Sequence, residues 1–75
     1  MKKALIEAGK RYTNGKGNVR EVIRRFEQGG NYWADRDWVE YRVVAKKRGP
    51  GFVGSTYECT TAAFARWAKR VMEGE

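Results

Sequence analysis

The stretch DWVEYRVVAKK, residues 37–47, narrows the choice of fold more than any other part of this chain. Val39, Tyr41, Val43 and Ala45 share one parity, and Glu40, Arg42 and Lys46 take the other. Side chains of a strand alternate between faces, so the pattern predicts a strand with one buried and one wet face. Gly49, Pro50 and Gly51 then break the chain. STYECT, residues 55–60, repeats the pattern, with Tyr57 and Cys59 inward between Thr56, Glu58 and Thr60. Two strands alone are marginal in water and need further strands, or a helix, against their apolar face.

The C-terminal segment TTAAFARWAKRVMEG offers that helix. Thr60 or Thr61 can cap it, and alanines fill its first turns. Phe64, Trp67, Ala68, Val71 and Met72 make one apolar stripe at helical spacing. Lys69 and Arg70 fall near the negative end of the helix dipole, and Gly74 can end the helix.

The segment NGKGNVREVIRRFEQGG, residues 14–30, supports two structures. Val19, Val22, Ile23 and Phe26 are spaced i, i+3, i+4 and i+7, as on one face of a helix, and Asn18 with Glu21 resembles a capping box. Against this, TNGKGN is turn chemistry, and a sheet with only two long strands is too small. A bulge near the turn lets Val22 and a neighbour face inward together. The strand reading is adopted, with KRYT at residues 10–13 as a short addition.

Seventy-five residues make one domain, 1–75, with 9–60 mainly β and 61–73 helical. A chain this short buries only about 60% of its unfolded surface, so its core must be tight. Hydrophobic residues at 41% are enough to build one, which argues against disorder despite 33% charged residues. Cys59 is the single cysteine and there is no histidine, so the chain can form no internal disulfide and no cysteine–histidine metal cluster, and it has no usual general base. Cys59 as a nucleophile has no histidine to activate it and sits on an inward parity. GKGN lacks the spacing of a phosphate-binding P-loop, and Asp35 with Asp37 falls short of a cation ligand set. No catalytic residue, metal or cofactor is therefore expected. After Met1-Lys2-Lys3 the apolar run stops at Glu7, so no signal peptide or membrane span is expected, and a reducing cytoplasm is the expected setting.

The string GKRYTNGKGNVREV, residues 9–22, with Val39-Glu40-Tyr41-Arg42 further on, resembles a family of small uncharacterised bacterial proteins. Those share a glycine, a nearby tyrosine, a K-G-N turn and a Val-x-Tyr-Arg strand. The resemblance implies a small SH3-like β-barrel with the segment after K-G-N as a strand. The family's C-terminal Trp-x-Arg-Pro and Phe are replaced here by ECTTAAFARWAKRV. That ending is similar to short phage and prophage proteins that pair a Tyr-Arg-rich sheet with a terminal helix. The expected fold is thus α+β: a strongly curved antiparallel sheet of four or five strands, barrel-like, closed by one C-terminal helix. Phe64, Trp67, Val71 and Met72 should dock on Val22, Val39, Tyr41, Val43, Tyr57 and Cys59.

The net charge is +7, and residues 1–30 carry eight Lys/Arg against three Glu. Such a surplus favours polyanionic partners. Arg11, Lys16, Arg20, Arg24 and Arg25, with Lys46, Lys47 and Arg48 on the neighbouring strand, are the candidate nucleic-acid contacts, a positive sheet face on which guanidinium groups meet successive phosphates. The competing reading is a solvated face whose arginines pair across strands with Glu21, Glu40 and Glu58. Tyr32, Trp33 and Trp38 are a second candidate set, for stacking on bases or, as the alternative function, for gripping a protein partner. Asp35 and Asp37 repel phosphate at that edge and would select a basic peptide. The chain is read as a non-catalytic binding module.

Overall fold

The computed structural model describes residues 1–29, 35–49 and 51–72. Along the chain come a 3-10 turn (Lys3–Leu5), strands β1 (Arg11–Thr13), β2 (Val19–Glu27), β3 (Asp37–Ala45) and β4 (Thr56–Thr60), helix α1 (Thr61–Trp67) and strand β5 (Arg70–Met72). The strands form one antiparallel sheet in the order β4-β3-β2-β1-β5. The K-G-N segment is followed by a strand, as the turn chemistry requires.

The helix-like spacing in β2 has a local cause. Val22 lies opposite Tyr41 and Arg24 opposite Glu40, so Ile23 is an extra residue on β2. A compensating irregularity lies between Val19/Arg20, where Val44 is the extra residue on β3. A bulge inserts one residue and so breaks the period of two. Here it places an exposed Ile23 beside the buried Val22, which imitates an i+3, i+4 pair.

The core lies between one sheet face and α1. Val22, Val39 and Val43 are buried, and Tyr41 and Cys59 pack half-buried beside them, as their parity predicts. Phe64 is fully buried, with its ring centroid 5.5 Å from those of Tyr12 and Tyr41 and 5.4 Å from that of Trp67. The Tyr12 pair is edge-to-face at 85°, a favourable arrangement of ring quadrupoles. Ile6 and Tyr12 are also fully buried. The Tyr12 hydroxyl donates to the Leu5 carbonyl (2.7 Å) and accepts from the Glu7 amide (2.8 Å), which pins the N-terminal segment over the core. The Thr60 hydroxyl caps α1 by accepting from the Ala63 amide at 3.1 Å.

Two expectations need correction. The helix does not run from 61 to 73: it ends at Trp67, Ala68 is extended, and Arg70–Met72 pair with β1. Tyr12 and Thr13 are buried, so the backbone groups on the second edge of β1 need partners, and β5 supplies them. The Lys69 amide donates to the Thr13 carbonyl at 2.8 Å to start the pairing. Val71 packs on the core from a strand rather than a helix, while Met72, one step on, takes the other face. Secondly, the sheet is open and not strongly curled: β4 and β5 are its two edges, and the described pairings do not close a barrel.

Candidate nucleic-acid interface

The bulge at Ile23 decides where the β2 arginines go. Arg20, opposite Val43, shares the core face with Val22. Its guanidinium lies 4.6 Å from the Tyr41 ring centroid and 4.1 Å from that of Trp67, so it is held between two rings. Beyond the bulge the alternation restarts, and Arg24 is on the outer face, 2.7 Å from Glu40 and 3.6 Å from Glu58. Arg42 sits 3.5 Å from Glu21 on that same face. The outer face is therefore a lattice of cross-strand ion pairs, as in the competing reading, and its exposed pairs add little stability each.

Arg25 returns to the core side at the far end of β2. Its guanidinium makes a two-point contact with Asp37, Nε to Oδ1 at 2.9 Å and Nη2 to Oδ2 at 2.5 Å. It also donates to the carbonyls of Lys3 (3.1 Å) and Ile6 (2.9 Å). Asp37 Oδ1 accepts the Thr61 hydroxyl at 2.7 Å. These hydrogen bonds from Arg25 hold the Asp37 carboxyl at about 2, and burial works against them. The same bonds raise the Arg25 pKa. This is a structural clamp joining the N-terminal turn, β2, β3 and α1. The shallow groove beside it is lined by Arg25, Phe26, Glu27, Asp35, Arg36 and Asp37, so its carboxylates outnumber its guanidinium groups. Arg11 lies in register between Glu21 and Met72. The structure thus does not gather Arg11, Arg20, Arg24 and Arg25 on one positive face.

It does gather the other candidates. Val19 is in register with Thr13 and with Ala45, and Thr13 with Arg70, so the β1–β2 turn, the β3–β4 loop and the start of β5 share one end of the sheet. The Asn18 side-chain oxygen ties the first two together, accepting from the amides of Lys47 (2.7 Å) and Arg48 (3.3 Å). Segments 13–19, 43–56 and 68–71 place Lys16, Lys46, Lys47, Arg48, Lys69 and Arg70 at this end and contain no Asp or Glu. No carboxylate among the described residues pairs with these six. Lys69 and Arg70 escape a helical reading of the C-terminus, which puts them on a helix surface instead of beside Lys16. Among the described residues no group of three or more metal-ligating side chains comes together, and no helix is long and apolar enough to cross a membrane.

Of the aromatic set, Tyr32 and Trp33 lie outside the described residues. Trp38 is on the outer face, half-buried, and its indole N–H donates to the Asp35 carbonyl at 3.0 Å. Cys59 is half-buried, and burial raises its thiol pKa. Comparison of the chain with protein-family models, curated proteins and solved structures finds no match.

Proposed function

We propose that this chain is a non-catalytic nucleic-acid-binding module that grips the phosphate backbone with the basic end of its sheet. The observation that supports this is the grouping of six Lys/Arg on three segments that carry no carboxylate. Elsewhere the cations and carboxylates are interleaved, so the positive potential is concentrated at this end. From β3 to β5 the row covers three strand spacings of about 4.8 Å, about 14 Å in all. At 3.4 Å per phosphate along one strand, that length faces about four phosphates. The return of the chain through α1, which lays β5 beside β1, supports reading the fold as an open variant of the SH3-like class. The lone half-buried thiol of Cys59 suits a reducing cytoplasm.

Fluorescence anisotropy with a labelled oligonucleotide tests the proposal. Four neutralised phosphates give a log–log salt slope of about −3.6 on a duplex, and the same number on a single strand about −2.8. The double variant Lys47→Glu/Arg48→Glu should weaken binding strongly and flatten that slope. Arg24→Ala, which removes a cation already paired with Glu40, should change affinity less than about twofold. Failure of the parent protein to bind any oligonucleotide at low salt would overturn the reading. So would a partner whose binding ignores salt, since that would mark a protein-interaction module.

A further inference from the structure

Resting on that reading, we infer that the basic end selects single-stranded over duplex nucleic acid, with Phe52 as a platform on which one unpaired base stacks. Phe52 is 74% exposed and Val53 61%, the two most exposed large apolar side chains among the described residues. A lone exposed apolar residue is ordinary. This one stands inside a cluster of cations and is held in place.

The hold comes from both sides of the residue. The Phe52 amide donates to the Tyr57 hydroxyl at 3.0 Å, and its carbonyl accepts from the Ser55 amide at 3.0 Å. Gly54 then returns the chain to the sheet by donating to the Val43 carbonyl at 2.8 Å. Gly51 lets the loop press on the strands beneath it. Its φ is +96°, and a Cβ there would come within 3.2 Å of the Tyr57 ring and 3.4 Å of Val43. A backbone fixed in this way leaves only the side-chain torsions of Phe52 to be ordered when a ligand arrives, which favours binding.

The cations around the ring indicate what it meets. The Lys46 ammonium donates to the Gly51 carbonyl at 2.6 Å and stands 5.6 Å from the Phe52 ring centroid. Insertion of Phe52 into lipid would drag this ammonium and carbonyl toward hydrocarbon, at a high cost. A stacked base leaves both in water and brings its phosphate near Lys46, Lys47 and Arg48. In a duplex the bases already stack on each other and show only their edges, so the ring finds no partner; a single strand offers a free face at every nucleotide. The combination of a basic track and an exposed ring therefore separates the two forms.

The experiment compares a labelled mixed-sequence DNA single strand with a blunt-ended, loop-free duplex of the same composition, at low salt, by anisotropy. The parent protein should prefer the single strand. Phe52→Ala should lose about tenfold on the single strand, within the range for one base–aromatic stack, and leave duplex affinity unchanged. Phe52→Tyr, which keeps a ring, should restore single-strand affinity. The side chain is exposed, so folding is not at stake. An unchanged single-strand affinity for Phe52→Ala, or an equal loss on the duplex, overturns the inference while the phosphate-gripping reading stands. Binding to neither oligonucleotide removes both. Phe52-dependent binding to phosphatidylserine vesicles without single-strand binding overturns the inference in favour of a membrane surface.

Discussion

Replacing Asp37 by asparagine removes one charge from the clamp that joins the N-terminal turn, β2, β3 and α1, and its effect can be worked from the structure. The Asp37 carboxyl titrates at about 2 in the fold against an ordinary 3.8. At 1.36 kcal/mol per pH unit, that depression corresponds to about 2.4 kcal/mol of stability. The Asp37 side chain is still 29% exposed, and asparagine keeps an oxygen for Thr61, so we expect Asp37→Asn to cost about 1–2 kcal/mol at neutral pH. For a domain of this size each kcal/mol lowers Tm by about 4–8 °C. The pH dependence follows from the sign of the shift. A carboxyl whose pKa is lowered by folding stabilises the fold above its unfolded value and loses that contribution as pH falls toward about 2. Urea titrations of both proteins, read by tryptophan fluorescence between neutral pH and the lowest pH at which both still fold, isolate this group from the other carboxylates. The gap between the two curves should be full above about pH 4 and shrink steadily below it. A gap under about 0.5 kcal/mol at neutral pH, or one that persists into strong acid, would refute the assignment of the clamp to Arg25 and Asp37.

Further outcomes follow from other groups. Tyr12→Phe leaves the Glu7 amide and the Leu5 carbonyl without their shared hydroxyl, and should cost about 1–3 kcal/mol in urea titration and speed hydrogen exchange at Glu7. Burial raises the Cys59 thiol pKa, so at mildly alkaline pH iodoacetamide should alkylate the folded protein more slowly than the urea-unfolded chain, and equal rates would contradict the half-buried placement.

How much of this was legible in the residues depends on whether the period of the sequence was intact. Residues 37–45 alternate cleanly on their core side, and their strand, its inward residues and its neighbour β4 follow directly from the letters. The strand at 19–27 was hidden because one bulged residue, Ile23, replaced a two-residue period with a helical one; only the turn chemistry before it spoke for a strand. Strand β5 was hidden for the converse reason. Trp67, Ala68 and Val71 fit a helical stripe, and the need that overrides it, the unpartnered edge of a buried β1, is a property of the sheet and not of the local sequence. Ile6 and Tyr12 enter the core from segments too short to carry any pattern. The candidate site divides the same way. Lys16, Lys46, Lys47 and Arg48 were legible as charge in turns, whereas Lys69 and Arg70 join them only once the helix is known to stop. The separation of Arg20 from Arg24 is again the work of the bulge.

The two irregularities in the β2–β3 ladder also bear on how chains of this kind can change in length. Ile23 has no counterpart on β3, so its deletion would bring Val22 and Arg24 into adjacent pairs without moving either off its present partner. Removing a residue of β2 away from the bulge would turn the side chains on one side of the gap to the opposite face. Val44 offers the same freedom on the neighbouring strand. A shortened chain that keeps this fold should lack a residue at one of these two sites, and the missing letter would sit beside the valine that fills the core.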